Sequence, residues 1–336
     1  MGGEIVLVDA FDAMSAGLPP LTWVVYAVFS SLLGACIGSF LNVCIYRIPL
    51  DQSVVRPRSH CMKCGKPIPW YHNIPVVSYF VLRGKCSSCG EPFGFRYAAV
   101  ELLTAFLFLA VFCLFPPAGS HPPFGFASVC DPEMEPLAAL RLMDLIPVYW
   151  LFVSGLLVGT FIDFDHFILP DSVTIGGMIA GLILSTLLPE LQMSIATSFS
   201  ADGSFSINAV RCHTSLAGCK ASAIGLAAGF VPLQTIRLLA TWFFRKRGRI
   251  GPDDYAMGFG DIKLVGAIGA FLGWQAALFS IFAAALLGTF VSIPVLLAKK
   301  RHLLDRIPFG PYLSAAALIW LFWSVPICTA YFRLFL

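Results

Sequence analysis

Long apolar stretches separated by short polar segments dominate this chain. A helix that crosses a bilayer needs about 20 mostly apolar residues. Eight stretches approach or reach this length: 21–46, 98–116, 145–163, 173–189, 221–244, 262–273, 275–298 and 310–335. The sixth is short, and Gly273-Trp274 connects it to the seventh as a tight turn. The pattern predicts an all-α polytopic membrane protein with about eight transmembrane helices, and six to eight are compatible with it.

The composition supports a membrane environment. Of the 336 residues, 58% are hydrophobic and 12% are charged, whereas soluble domains carry about 25% charged residues. So few charges cannot cover a water-exposed surface, which disfavours the alternative of a soluble lipid-binding protein. The net charge of +3 is too small to indicate binding to nucleic acid. Membrane lipid is therefore the expected surrounding.

Basic residues are concentrated in three connecting loops. They lie after the first apolar stretch, near residue 245 and near residue 299. Short basic loops stay in the cytoplasm, and with eight helices all three loops fall on that side. The segment 1–20, the C-terminus and the loops 117–144 and 190–220 are then expected outside. In the last loop, Cys212 and Cys219 could form a disulfide or remain two unpaired thiols.

Two CxxC pairs lie in the first basic loop, which extends over 48–97. Cys61 and Cys64 form the first pair, and Cys86 and Cys89 form the second. Each CxxC turn presents two thiolates on one side, and two such turns complete a tetrahedron around Zn²⁺. Cytosolic placement disfavours disulfides, although redox-active or free thiols remain alternatives. Four thiolates leave no open coordination position, so the predicted zinc-ribbon-like loop holds a structural metal.

Two aspartates lie where apolar stretches meet the predicted cytoplasmic face. Asp163 ends the third stretch, and Asp261 belongs to Gly258-Phe259-Gly260-Asp261 at the start of the sixth. Ionisable groups in or beside a transmembrane helix are costly and are candidates for function. Two carboxylates close together share a proton, so one can take a proton from water while the other polarises a carbonyl. We therefore expect both aspartates to be catalytic, with the two glycines letting a peptide backbone approach Asp261.

The order of these motifs resembles that of the bifunctional type IV prepilin peptidases, also called prepilin leader peptidase/N-methyltransferases. The resemblance extends from about residue 35 to the C-terminus. The matching segments are Gly38-Ser39-Phe40-Leu41-Asn42-Val43, Arg47-Ile48-Pro49, both CxxC pairs, Asn73-Ile74-Pro75, Gly84-Lys85-Cys86, Val100-Glu101, Ile162-Asp163, Leu169-Pro170-Asp171, Gly258-Phe259-Gly260-Asp261 and Pro308-Phe309-Gly310-Pro311.

The resemblance implies an inner-membrane enzyme with two activities. It would cleave the short basic leader from prepilins or pseudopilins with the aspartate pair, and then methylate the new N-terminal amine with S-adenosylmethionine. The four-cysteine loop corresponds to the part tied to methyl transfer, together with Gly84 and Lys85. Glu101 and Arg47 are weaker candidates for that half of the protein.

Three further ionisable residues follow Asp163 in the sequence. Asp165, His166 and Asp171 are interpreted as solvated turn residues, and Asp171 is also a candidate N-cap of the next helix. A second hypothesis is that Asp165 and Asp171 attract the basic residues of the leader.

Three segments are predicted along the chain: an external segment 1–20, a first part 21–144 that carries the methyltransferase-associated loop, and a peptidase domain 145–336. A transporter or proton channel is a competing class, but it requires ionisable residues through the membrane depth, whereas here they cluster at one face. A non-catalytic scaffold that docks cytosolic partners through the zinc module is another, and it would tolerate asparagine at either aspartate. The pattern does not indicate the oligomeric state.

Overall fold

The structure, a computed structural model, describes residues 21–114, 143–199, 205–248, 251, 254–299 and 308–335. Its helices are α1 Leu21–Arg47, α2 Val77–Val81, α3 Arg96–Phe112, α4 Leu145–His166, α5 Asp171–Leu187, α6 Ser215–Lys246, α7 Phe259–Leu272, α8 Trp274–Lys299 and α9 Gly310–Phe335. Short 3-10 helices cover Ile48–Leu50, Trp70–His72 and Pro189–Leu191. All eight predicted apolar stretches are helical over most of their described residues.

Among the described residues, five helices are long and apolar enough to cross a membrane. These are Trp23–Leu50, Leu145–His166, Ser215–Lys246, Trp274–Val291 and Gly310–Leu334. Helix α5 is apolar but has 17 residues, and α7 has 14. The expected all-α polytopic architecture is confirmed, while the number of crossings and the side of each loop stay predictions. The predicted segment 1–20, most of 117–144 and the basic residues 300–306 lie outside the described residues.

The chain divides into two compact units. The first comprises 1–42 and 57–146, and the second comprises 43–56 and 147–336. In the first unit α1 and α3 approach closely, because a Cβ at Gly34 would stand 2.8 Å from the Cα of Ala105. Asn42 Nδ2 donates to the Tyr97 carbonyl at 3.0 Å. This bond joins the two sides of the segment that carries the four cysteines.

Helix α7 occupies the core of the second unit. Every residue from Ile262 to Leu272 is buried, and a helix that is almost wholly apolar on all sides is typical of a core position. Small residues allow the close packing: a Cβ at Gly225 of α6 would stand 2.1 Å from the carbonyl oxygen of Gly269. Membrane helices favour such residues at their interfaces because the two backbones can then approach. The start of α7, with Asp261, is thereby held in a fixed place.

The segment 190–220, predicted as an external loop, contains a β-hairpin. Strand β1 (Met193–Phe199) pairs antiparallel with β2 (Phe205–Arg211), with Met193 opposite Arg211 and Phe199 opposite Phe205. The side chain of Gln275 anchors the hairpin to α8, since it accepts the N–H of Ile195 at 2.7 Å and donates to the carbonyl of Ile195 at 2.9 Å.

The two cysteines after this hairpin are free thiols. Cys212 follows β2, and Cys219 lies within the first turns of α6, which begins at Ser215 rather than near residue 221. Burial raises the pKa of the Cys212 thiol, which lowers the fraction of thiolate available for oxidation. Of the two alternatives for this pair, the structure therefore has the unpaired thiols.

Candidate active site and metal centre

Asp163 lies in the last turn of α4, and its exposed fraction is 5%. The helix ends beyond it, where Phe167 has φ +56° and donates its N–H to the Asp163 carbonyl at 3.0 Å. A non-glycine residue in this left-handed region is uncommon and stores conformational strain. The chain therefore turns sharply just after the aspartate, and Phe167 becomes part of the wall beside it.

The Asp163 carboxylate is held by the start of α9. Gly310 is the first residue of that helix, and its N–H donates to Asp163 Oδ2 at 2.9 Å. Helix N-termini favour negative charge because their first N–H groups have no partner within the helix. A side chain here would push the carboxylate aside, since a Cβ at residue 310 would stand 2.8 Å from Oδ2 and 3.3 Å from Cγ. The observed position of the Asp163 carboxylate therefore depends on glycine at residue 310.

Replacing Gly310 by alanine is expected to lower peptide cleavage by up to about 100-fold, because the added methyl group displaces the Asp163 carboxylate from its working position. The measurement is the kcat for leader cleavage by the purified variant. Gly155→Ala is the matched control on α4, since a Cβ there meets nothing within 4 Å. Equal rates for the two variants would contradict the assigned role of Gly310.

Asp261 lies in the first turn of α7, where the helix dipole favours a carboxylate. Gly258 is the N-cap residue, and a Cβ there would stand in ordinary contact, 3.4 Å from Asp261 Oδ2. A Cβ at Gly260 would instead stand 2.7 Å from the Cβ of Leu169. Gly260 thus permits close packing against the segment that follows α4. This differs from the expectation that both glycines admit a substrate backbone.

Asp163 and Asp261 face one cavity of about 730 Å³, and their carboxyl groups interact electrostatically. The other lining residues are Phe167, Arg237, Asp254, Tyr255, Ala256, Met257, Gly258, Phe259, Pro308 and Phe309. These walls combine aromatic and apolar side chains with the charged Arg237 and Asp254, which suits a peptide segment that has apolar side chains and a polar backbone. Two carboxylates beside such a segment can activate water and donate a proton. One site is therefore built from distant parts of the sequence. It comprises the end of α4, the start of α7 with the segment before it, and the segment before α9.

Asp171 is not the N-cap of α5, because Pro170 occupies that position; the predicted capping role is wrong. Asp171 instead lies in the first helical turn and forms an ion pair with the buried Lys263 of α7. Since Lys263 already compensates this carboxylate, less of its charge remains to attract a basic leader. Asp165 and His166 are exposed.

Gly310, Lys263 and Arg237 belong to this region although the sequence pattern did not identify their roles. Lys263 and Arg237 carried a usable signal, since each is a charged residue inside an otherwise apolar stretch. Gly310 carried none of its own, because its requirement arises only from the contact with Asp163.

Four cysteine thiols form a compact cluster in the first unit. The Sγ atoms of Cys61, Cys64, Cys86 and Cys89 all lie within 4.8 Å of one another. Those of Cys61 and Cys89 are 3.7 Å apart. A tetrahedron with Zn–S bonds of about 2.3 Å has S···S edges of about 3.8 Å. The cluster therefore has the ligand type and the dimensions of a four-thiolate zinc site.

The two CxxC turns share one backbone arrangement. Gly65 and Gly90 each donate their N–H to the carbonyl of the first cysteine of their own turn, at 2.9 Å. Their φ values are +68° and +72°, which glycine adopts without steric cost. An ion pair between Lys63 and Glu91 connects the two turns. The local sequence thus shapes both turns, and side chains between them help to bring the thiols together.

The protonation of the thiols also favours a cation in this cluster. Hydrogen bonds to the backbone of Cys64 and Lys63 lower the pKa of the Cys61 thiol to about 6. For Cys89 the Glu91 backbone acts in the same direction, but desolvation and the neighbouring thiols raise the pKa to about 12. Neighbouring thiols thus cannot all lose their protons easily, since the negative charges would repel. A divalent cation removes this conflict because it stabilises each thiolate.

The four candidates for methyl transfer lie in different surroundings. Gly84 has φ +65° and is buried, and the exposed Lys85 follows it directly before the second CxxC turn. Glu101 is buried on α3, and its Oε2 accepts the N–H of Val76 at 2.7 Å. These three belong to the first unit, whereas Arg47, at the end of α1, belongs to the second.

Two family models match the chain: "Bacterial Peptidase A24 N-terminal domain" over residues 32–115 and "Type IV leader peptidase family" over residues 150–293. A prepilin leader peptidase/N-methyltransferase of Myxococcus xanthus is 36% identical over 286 residues, which cover 85% of this chain and 68% of that protein. The protein of the same name from Aeromonas hydrophila is 33% identical and covers 96% of this chain and 98% of its own. Its counterpart in Legionella pneumophila is 29% identical, with 92% and 95% covered. No solved structure matches the chain.

Proposed function

We propose that this chain, which belongs to the type IV leader peptidase family, removes the leader peptide from prepilins or pseudopilins and then methylates the new N-terminal amine. It is thus an enzyme with both peptidase and methyltransferase activity. The observation that carries the peptidase half is the cavity shared by Asp163 and Asp261.

Asp163 and Asp261 act together as the catalytic aspartate pair. Two neighbouring carboxyl groups hold one proton between them. The ionised carboxylate takes a proton from the attacking water, and the protonated one donates to the carbonyl oxygen of the scissile bond. The proton belongs to the pair rather than to either aspartate. The N–H of Gly310 keeps the Asp163 carboxylate oriented.

The position of the pair suits a substrate that has a basic leader followed by an apolar helix. Asp163 lies at the end of one apolar helix and Asp261 at the start of another. If the basic loops are cytoplasmic, both aspartates lie at the inner membrane face. The apolar part of the substrate can then stay in the bilayer while its leader stays in the cytoplasm. The protein is accordingly a multi-pass enzyme of the inner membrane, with the four-cysteine loop on the cytoplasmic side.

For the methyltransferase half, Cys61, Cys64, Cys86 and Cys89 would hold a structural Zn²⁺ that stabilises the loop. S-adenosylmethionine would supply an electrophilic methyl group, and the amine that accepts it mainly needs orientation. Lys85 and the buried Glu101 offer a cation and an anion. These charges complement the carboxylate and the ammonium group of a donor built on an amino acid.

Incubation of the purified protein with a prepilin and S-adenosylmethionine is expected to give a shortened product that carries one methyl group. Glu101→Gln should leave cleavage unchanged and lower methylation at least about tenfold, because glutamine keeps an acceptor for the Val76 N–H but removes the charge. Mass spectrometry of the product N-terminus measures both activities. Glu190→Gln, in the second unit, is the matched control. Unchanged methylation in Glu101→Gln would exclude this residue from the methyl-donor site, and absence of cleavage by the wild type would refute the proposed function.

A further inference from the structure

An arginine lies well inside the apolar helix α6. Arg237 precedes the last residue of that helix, Lys246, by nine positions, which corresponds to roughly 14 Å at the rise of an α-helix. A charged side chain there is costly in a bilayer unless it has partners. Among the residues that the structure describes, its partners belong to the segment Asp254–Phe259, which leads into Asp261.

Three residues of α6, spaced four apart, hold the backbone of this segment. Arg237 Nε donates to the Met257 carbonyl at 3.2 Å. The Ala256 N–H donates to Thr241 Oγ1 at 3.1 Å, and Arg245 Nη2 donates to the Asp254 carbonyl at 3.2 Å. Residues at this spacing share one face of a helix. The side chains of Arg237, Thr241 and Arg245 therefore form a stripe that binds the backbone of Asp254–Met257. We call these three side chains the α6 stripe.

Arg237, the first residue of the α6 stripe, also contacts two aromatic rings of the cavity wall. Its Cζ lies 4.0 Å from the ring centroid of Tyr255 and 5.0 Å from that of Phe259. Lys263 Nζ lies 4.7 Å from the same Phe259 centroid. Cation–π contacts of this kind strengthen when they are shielded from water. Phe259, two residues before Asp261, thus has two cations against its ring.

We propose that the α6 stripe is a positioning device for the peptidase, in which Arg237 sets the place of Asp261 and of the cavity wall before it. This inference rests on the proposed function. Every residue from Asp254 to Phe259 lines the cavity shared with Asp163, so a shift of this segment changes both the wall and the approach to Asp261. Arg237 acts through these residues, because its side chain bonds the segment rather than either catalytic carboxylate.

Arg237→Met is expected to lower the kcat of leader cleavage by up to about 100-fold, with a much smaller change in KM, since misplacement of a catalytic group acts mainly on the chemical step. Arg237→Lys should recover part of the loss, because a lysine keeps a cation over the rings but cannot reproduce the guanidinium geometry. Thr241→Val combined with Arg237→Met should cost less than the product of the two single effects, as expected for residues that hold one segment.

A readout that does not depend on activity separates the α6 stripe from the proposed function. Hydrogen exchange of the amides in 254–258 should accelerate in Arg237→Met and stay at the wild-type rate in Arg247→Met. Arg247, which follows α6 directly, is the matched control because its guanidinium lies 4.1 Å from the ring of Phe243, a residue outside the α6 stripe. Unchanged exchange in Arg237→Met would overturn the positioning role even if the wild type proved inactive. Faster exchange with an unchanged kcat would overturn the link between this segment and catalysis.

Discussion

Replacing Asp163 or Asp261 by asparagine is expected to abolish leader cleavage, with kcat at least about 10³-fold below that of the wild type. Asparagine has nearly the same shape and still accepts a hydrogen bond, so the Gly310 N–H keeps a partner at residue 163. It can neither take a proton from water nor exchange one with the second aspartate. Because both carboxyl groups face the same cavity, either single substitution should abolish leader cleavage.

The measurement is cleavage of a purified prepilin by each variant, followed over time by mass spectrometry. Asp51→Asn serves as a control, since Asp51 lies at φ +53° in a turn of the second unit and asparagine tolerates that conformation. A synthetic peptide that already has a mature N-terminus tests whether each variant remains folded, because the methyltransferase half should still modify it. Cleavage that survives either substitution would refute the aspartate-pair mechanism and favour the scaffold hypothesis.

The second large effect is expected from loss of the metal ligands. Cys86→Ser should release bound zinc, from about one ion per chain to almost none, and should abolish methyl transfer. A structural zinc site contributes about 10–16 kcal/mol in small domains, which is comparable to the whole unfolding free energy of a domain. Without the metal, the close thiols repel as they ionise, and little apolar core remains to hold a loop in which Cys89, Met62 and Trp70 are exposed.

Metal content of the purified protein and protease sensitivity of the loop 48–97 measure this effect. Cys36→Ser is the matched control, because Cys36 is a free and exposed thiol of α1 outside the cluster. Treatment of the wild type with a chelator should reproduce the Cys86→Ser phenotype. Wild-type protein that carries no zinc and still methylates its product would contradict the metal assignment.

The helices were predictable because their signal is local. Each apolar stretch supplies the hydrophobic length that a membrane helix needs, and the eight predicted stretches coincide with helices over most of their described residues. The β-hairpin was not predicted because its local sequence signal is weak. Met193–Phe199 and Phe205–Arg211 do alternate in part between apolar and polar residues, and Asp202-Gly203 between them is a typical turn pair. Their serine, threonine and asparagine content nevertheless has the composition of a loop.

The four-cysteine cluster and the candidate aspartate pair were predictable for a different reason, which is that their proposed chemistry restricts the residue types. Four cysteines in two CxxC pairs have few structural alternatives, and carboxylates at the ends of apolar helices are rarely without a role. The α6 stripe and the segment that it binds, in contrast, lie in separate parts of the sequence. Arg237 appears in the sequence only as an isolated charge, and nothing local shows that it contacts Met257.

The sequence by itself determined the membrane class, the helices, the four cysteines of the thiol cluster and the two candidate aspartates, since each of these follows from the properties of one segment. Only the tertiary structure decided that Gly310 holds Asp163, that Lys263 compensates Asp171, and that the α6 stripe supports the approach to Asp261. These contacts depend on the register in which helices pack. Register is set by many small steric terms along whole helix faces, such as the close approach of Gly225 and Gly269, and no single residue type encodes it.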